Sequence, residues 1–404
     1  MMNKKQLGIY IHIPFCVQKC VYCDFLSAPA DESTKKKYVK ALIEEIKQSG
    51  AGQAYREKDK ASRVSAKDMD KSTTKMDSQY QVKSIFFGGG TPSILDAEQI
   101  SAILDAVRDT FDVDEFAEIT IECNPGTLDD KKTFGYRQCG INRLSFGLQS
   151  AVDSELSMLG RIHNLKGFES SFNMARKYGF NNINVDIMSA IPGQTMASYE
   201  HTLNSVIAYR PEHISAYSLI VEENTYLEQH LNQYPALPDE DLEREMYHQT
   251  KAVLEQAGYH QYEISNYSKL GYECQHNLSY WERKDYLGFG IGAASLFQET
   301  RYHNCRDLKQ YLKAAGNPAL IREEQEVLTV DDQMEEFMFL GLRKISGVDE
   351  REFKRIFGKT IEEIYKVEID KNIENGLLEK ADRHYRLTSL GIDISNTVMA
   401  DFML

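Results

Sequence analysis

The chain has 404 residues, 42% of them hydrophobic and 10% aromatic, which is ordinary usage for a globular protein with one large core and one or two smaller ones. A formal net charge of -14 argues against a general nucleic-acid binder, because affinity for phosphate backbones needs clustered Lys and Arg. No run of about 18 apolar residues and no basic, apolar leader is present, so the expectation is a cytoplasmic protein whose contact with a membrane, if it makes one, is peripheral.

The first β-rich run, "LGIYIHI", leads straight into "FCVQKCVYC", which holds three of the seven cysteines. In a reducing compartment, Cys16, Cys20 and Cys23 read as metal ligands or redox groups, and a disulfide framework is not expected. A structural zinc site normally closes with four protein ligands, and an electron-transferring iron–sulfur cluster is normally held by four thiolates. Three thiols either borrow a distant fourth ligand, as a structural zinc site would, or leave one metal position open. A helical pattern, "YVKALIEEIKQ", follows, and then Gly50 to Tyr80, rich in Lys, Asp, Ser and Ala with hardly any large aliphatics. Such a segment cannot bury enough surface to offset its ordering entropy, so a disordered insertion with no catalytic role is expected; the alternative is a solvated helix.

The β-rich runs "VKSIFF", "AEITIE", "INRLSFG", "NINVDIM" and "HISAYSL" alternate with helical patterns such as "EQISAILDAVRDTF" and "TLNSVIAY". Six strand–helix repeats in about 220 residues predict an α/β protein whose residues 1–235 form a partial (β/α)6 barrel of parallel strands. Active sites of such barrels collect at the C-terminal ends of the strands. There the sequence places the three cysteines, then Gly88 to Pro92 ("GGGTP"), Glu122 with Asn124 and Pro125, Gln149 and Asp186, one after each of five strands, and "AYSLI" ends the sixth. Each has a plainer explanation. Three glycines make a tight turn as readily as they let backbone approach a small charged ligand. Glu122 and Asp186 could cap helices or form ion pairs, Gln149 could cap a loop, and Arg161 could be a surface charge, although its planar fork also suits a carboxylate. His163 reads as structural. The coincidence at successive strands favours one site.

Residues 236–325 read as a linking region containing "ECQHNLSYWERKDYLGFGIGAAS", whose "GFGIGAAS" looks like a close-packed glycine turn and, lying outside a βαβ unit, is poor evidence for a dinucleotide. Residues 326–404 form a further small domain, with helices over "MEEFMFLGLRKISGV", "DEREFKRIFG" and "TIEEIYKVEIDKNIENG" and then a β wing in "LLEKADRHYRLTSLGIDIS". From Asp331 to Leu404 there are 11 Lys and Arg against 16 Asp and Glu, a net of 11 - 16 = -5, which argues against DNA binding by this winged-helix-like domain.

"GIYIHIPFCVQKCVYCDF", with C-x3-C-x2-C after a strand, resembles the cluster loop of the radical S-adenosylmethionine (radical SAM) superfamily. "FFGGGTPS", "IECNPGT", "SFGLQS", "RIHN" and "VDIMSAIPGQT" resemble its HemN/HemW branch, which contains coproporphyrinogen III dehydrogenases and heme chaperones. The resemblance covers nearly all of the chain outside the insertion. It implies that Cys16, Cys20 and Cys23 hold a [4Fe-4S] cluster whose fourth iron takes the amino and carboxylate groups of S-adenosylmethionine (SAM). It implies further that Gly89, Gly90 and Thr91 meet the methionine moiety, that Arg161 balances its carboxylate, that Glu122, Gln149 and Asp186 lie along the nucleoside, and that Tyr10 and Tyr22 pack near the cluster. The C-terminal domain would cover the substrate side of the barrel.

Dehydrogenases of this branch carry an extended N-terminal segment and a further cysteine shortly after the third. Here fifteen residues precede Cys16, and Phe25 stands where the extra thiol would come. "HNLSYW", His276 to Trp281, resembles a signature of the chaperones. The expectation is therefore a heme chaperone with heme, acceptor hemoproteins and an electron donor as partners; the alternative is an oxygen-independent coproporphyrinogen III dehydrogenase. An imidazole can ligate heme iron and aromatic rings can flank a macrocycle, so His276 is the candidate heme ligand, with Tyr280 and Trp281 beside it and Cys274 as a second candidate. Against this, His276 could make a supporting hydrogen bond, the aromatics could be core anchors, and Cys274 could be an ordinary buried thiol.

Overall fold

The computed structural model describes residues 4–50 and 79–403. The expected insertion therefore lies, for residues 51–78, outside the described residues.

Six parallel strands run in chain order: β1 (Lys5–Ile13), β2 (Tyr80–Gly89), β3 (Val113–Cys123), β4 (Arg143–Gln149), β5 (Ile183–Ser189) and β6 (His213–Ser218). They are joined by crossover helices α1 (Glu32–Gly50), α2 (Ala97–Thr110), α3 (Asp130–Cys139), α4 (Asp153–Met158), α5 (Leu165–Lys177) and α6 (Met196–Tyr209). Local sequence starts these helices well. Asp96 caps α2 reciprocally with Gln99, and Thr195 caps α6 with Ser198. Ile100, Ile103, Leu104 and Val107 then recur at helical spacing along α2 and bury its inner face. One continuous core runs from the strands into these helices and includes Ile9, Ile11, Ile13, Phe87, Leu144, Phe146 and Leu148.

Along each strand the core-facing residues alternate with others that face the barrel lumen. In β4, Leu144, Phe146 and Leu148 join the core, while Arg143, Ser145, Gly147 and Gln149 border the internal cavities. This is the period of two that a pleated strand imposes, and it makes the lumen polar.

The sheet extends beyond the six expected strands. Residues 236–325 supply β7 (His260–Glu263), β8 (Asn266–Ser268), β9 (Tyr286–Phe289), β10 (Ala294–Phe297) and β11 (Thr300–Asn304), followed by β12 (Arg322–Val327). β9 pairs parallel with β1 and carries an antiparallel run of β10 to β12, while β8 and β7 pair antiparallel beyond β6. The glycine segment turns between β9 and β10, with Gly290 at φ +98° and Gly292 at φ +63°.

The C-terminal part has its own core, built on Met334, Met338, Phe353, Tyr365 and Phe402, and its own antiparallel sheet of β13 (Val348–Asp349), β14 (Leu378–Ala381) and β15 (His384–Leu387) in the order β13-β15-β14. It is fastened to the large sheet by Glu336, which accepts from Arg283 Nε at 2.7 Å and also pairs with Arg301. The Arg343 guanidinium lies 4.4 Å from the ring centroid of Trp281. No helix among the described residues is long and apolar enough to cross a membrane.

Candidate functional site

The loop after β1 is closed at its base by a bridge between Phe15 and Ala28, with Cys16 N donating to Ala28 O at 3.2 Å. The end of β2 presses against the root of this loop: Gly90 N donates to Ile13 O at 2.8 Å and Thr91 N to Phe15 O at 2.7 Å. This packing accounts for the glycines. A Cβ on Gly90 would stand 2.7 Å from Phe15 O, and one on Gly89, whose φ is +109°, would run into the His12 ring. Close packing against His12 of β1 and against the root of the cysteine loop thus requires glycine at both positions before any ligand is considered.

The strand ends enclose a cavity of about 540 Å³ that is bordered by Cys16, Cys20 and Cys23 at its mouth. Tyr22, Gly89, Gly90 and Thr91 border it, and so do Glu122, Gln149, Arg161 and Asp186. Among the described residues, no three His, Cys, Asp or Glu side chains gather as the ligands of a single metal ion. Two of the three thiols receive donors. Thr91 Oγ1 donates to Cys16 Sγ at 3.5 Å, and Arg161 Nη1 to Cys20 Sγ at 3.4 Å. Asn124 joins these two donors, giving a hydrogen bond from Nδ2 to Thr91 Oγ1 at 2.9 Å and accepting one from Arg161 Nη2 at 2.8 Å. Arg161 also donates to Gly147 O, and a Cβ on Gly147 would stand 3.1 Å from Arg161 Nη2. Arg161 Nε is buried with no partner. Gln149 holds a left-handed φ of +73° and accepts from Tyr217 at 2.9 Å.

Burial and the charge of Asp186 push the Glu122 carboxyl up to about 8, against the pull of the Gly89 backbone N–H, so it is largely neutral at pH 7. Burial also raises Asp186, against hydrogen bonds from Asn184 and Ser215. Burial raises the Cys23 thiol as well. Burial, and after it the Arg161 charge, lowers His163 to about 4, and its Nε2 lies 3.3 Å from Leu148 O.

Tyr10 and His276 lie apart from this cavity. They line an adjoining one of about 240 Å³ deeper in the lumen, which shares Glu122, Ser145, Asp186 and Ser215 with the first. Tyr10 contacts His12 Nδ1 through its hydroxyl at 3.1 Å, and Tyr22 alone of the two tyrosines borders the cysteines' cavity. His276 is 1% exposed, with Nδ1 2.9 Å from Ser84 Oγ and Nε2 2.9 Å from Tyr280 Oη. Neither ring nitrogen is free, and burial followed by the nearby Arg143 charge lowers its pKa to about 3. On the helix Gln275–Trp281, His276 and Tyr280 are four residues apart and share a face, whereas Trp281 turns away and borders a cavity with Phe337, Gly341 and Val348 of the C-terminal part. Cys274 is fully buried, lies 3.5 Å from Glu118, and is raised to about 12 by burial.

The sequence pattern did not single out Arg143, Asn184, Tyr217 or Asn277 as lining the site, nor the bridging role of Asn124. The signal was present in β4, where Arg143, Ser145, Gly147 and Gln149 alternate with Leu144, Phe146 and Leu148.

An incomplete parallel barrel, with a three-cysteine loop on its first strand and a glycine turn on its second, is the architecture of a radical SAM protein. The model of the radical SAM superfamily matches residues 10–206, and that of the HemN C-terminal domain matches residues 328–394. The heme chaperone HemW of Bacillus subtilis is 35% identical over 98% of both chains, and that of Escherichia coli 32% identical over 100% of both. The solved coproporphyrinogen III oxidase (HemN) of Escherichia coli has the same fold, with a TM-score of 0.81 over 99% of this chain and 91% of that one at 22% identity. The chain belongs to the HemW family of the radical SAM superfamily. That superfamily implies a [4Fe-4S] cluster and SAM. The residues present fit them: three thiols on one loop face a roomy cavity, two have hydrogen-bond donors at sulfur, and a buried guanidinium nitrogen has no partner.

Proposed function

We propose that this protein is a cytoplasmic heme chaperone that binds heme and passes it to acceptor hemoproteins, carrying a [4Fe-4S] cluster on Cys16, Cys20 and Cys23 with SAM beside it. The observation that carries this is similarity to HemW proteins along the whole chain at 32% and 35% identity. Phe25 supports it: a residue 69% exposed stands where the dehydrogenase pattern has a further cysteine.

When bound, the cluster and SAM supply one-electron chemistry, and the protein binds, orients and shields them. Thr91 and Arg161 would steady the Cys16 and Cys20 thiolates by donating to sulfur. The unpartnered Nε of Arg161 would meet the carboxylate of SAM. Gly89, Gly90 and Thr91 would flank the methionine part, with Tyr22 packing beside the cluster. A neutral Glu122 can donate as well as accept, which suits the hydroxyls of a nucleoside, and Asp186 and Gln149 would complete that wall. An electron donor is a further expected partner, and nucleic acid is not.

Heme would enter at the mouth. Phe25 and Ile220 border the cavity there and are 69% and 68% exposed, forming an apolar lip suited to the face of a macrocycle. Ligation by His276 would require it to give up its bond to Ser84 or to Tyr280. Anaerobic reconstitution tests the proposal. The expected protein holds about four irons, changes its spectrum when SAM is added, binds heme, and leaves coproporphyrinogen III intact. Decarboxylation of coproporphyrinogen III would replace this reading with that of the dehydrogenase.

A further inference from the structure

Asn124 stands just past the end of β3, and its backbone is pinned. Its N–H donates to Ser93 Oγ at 3.3 Å, and its carbonyl accepts from Thr127, through the backbone N–H at 3.1 Å and through the hydroxyl at 2.6 Å. Pro125 follows and disfavours helical backbone at Asn124. The side chain is therefore held between Thr91 and Arg161 by the chain itself, with no ligand needed to place it.

The direction of each hydrogen bond here follows from the one before it. A guanidinium can only donate, so the Asn124 atom that meets Arg161 Nη2 at 2.8 Å is the amide oxygen. The amide nitrogen then faces Thr91 and donates to its Oγ1 at 2.9 Å. A hydroxyl oxygen that accepts this bond keeps its own hydrogen for another partner. That partner is Cys16 Sγ, 3.5 Å away, and Thr91 is 2% exposed, so water does not compete for the hydroxyl. Arg161 is anchored independently by Gly147 O and reaches Cys20 Sγ at 3.4 Å through Nη1. Without the amide, the Thr91 hydroxyl loses the bond that fixes its rotation, whereas Arg161 keeps an anchor.

We propose that Asn124 is a positioning residue for the cluster: by fixing which way the Thr91 hydroxyl donates, it directs a hydrogen bond onto the Cys16 thiolate and holds the reduction potential up. This rests on the cluster reading above. A donor at sulfur favours the reduced form, which carries the extra negative charge, so losing it makes the cluster harder to reduce.

The test uses the full chain, reconstituted anaerobically without SAM, and reads the midpoint potential by reductive titration followed by electron paramagnetic resonance. Asn124→Ala and Thr91→Val should each lower the reduction equilibrium constant about three- to tenfold, which is about 30–60 mV for one electron. Thr91→Ser, which keeps the hydroxyl, should stay near the wild-type potential. In a Thr91→Val background, Asn124→Ala should shift the potential less than half as much as it does in the wild type, because its effect runs through the missing hydroxyl. Asn124→Asp gives a second comparison if Asn124→Ala retains no cluster. Its carboxylate keeps Arg161 but can only accept from Thr91, so its shift should also be smaller in the Thr91→Val background, where only the added charge acts. No shift in either single variant, or an equal shift in both backgrounds, overturns the inference and leaves the cluster reading standing. Failure of the wild type to retain about four irons overturns the cluster reading and this inference with it.

Discussion

The contact between the end of β2 and His12 of β1 predicts a large cost for Gly89→Ala. At φ +109° an alanine is strained by about 1–2 kcal/mol relative to glycine. The added Cβ would also stand 2.5 Å from His12 Nδ1, and overpacking of this kind costs about 1–3 kcal/mol. The His12 ring cannot simply swing away, because its nitrogens contact Tyr10 Oη at 3.1 Å and Leu26 O at 2.9 Å. The expected loss is about 2–5 kcal/mol in total. The two contributions separate in a His12→Ala background, where the steric part vanishes and Gly89→Ala should cost only about 1–2 kcal/mol. Urea unfolding of the four proteins, with SAM binding measured alongside, gives the comparison. A cost below about 0.5 kcal/mol in the His12 protein, or an equal cost in both backgrounds, would refute the packing argument.

Cys16→Ala, Cys20→Ala or Cys23→Ala should each abolish iron retention on anaerobic reconstitution, while Cys139→Ala, on α3 away from the cavity, should retain it; iron analysis decides. Glu122→Gln should flatten part of the pH dependence of stability. The folded pKa of about 8 lies above the unfolded value of about 4.3, so this carboxyl's stabilising effect is full at low pH and is lost as pH rises through that window. Urea midpoints from pH 5 to 9 should therefore fall less steeply in the variant, and identical slopes would contradict the assigned burial. Glu336→Ala should take one of two carboxylate partners from Arg283, whose side chain is 9% exposed and which keeps Glu299, at a cost of about 1–3 kcal/mol. Fluorescence of Trp281, the lone tryptophan, which lies against the C-terminal part, should report an earlier urea transition; an unmoved transition would mean the two parts are held by other contacts.

The parallel strands were legible because each is an apolar run at the right spacing, and their C-terminal ends marked the cysteines, Gly89, Glu122 and Gln149 without any coordinates, whereas Asp186, expected at the end of its strand, lies in the middle of β5 (Ile183–Ser189). The strands β7 to β10 were not legible. They are three or four residues long, so the period of two has no length in which to appear, and they gain stability from the edges they join. Arg143 was missed for a different reason: a single charge within an apolar run looks like an interruption until the strand's alternation is assigned to core and lumen. His276 shows the limit of motif reading, since the residue types that can ligate a heme iron can equally lock a helix against β2 through Ser84. Tyr10 likewise sits one cavity deeper than its proximity in sequence to the cysteines implied.

The most direct test of the central claim is a transfer measurement. Reconstituted protein loaded with one equivalent of heme is mixed anaerobically with an apo-hemoprotein, and the Soret bands of donor and acceptor are followed together. The account predicts that heme leaves this chain as the acceptor gains its native spectrum and activity, faster than from free heme at the same concentration or with a yield that free heme does not reach. Heme that stays on the chain, or an acceptor that fills no better than from free heme, would contradict it.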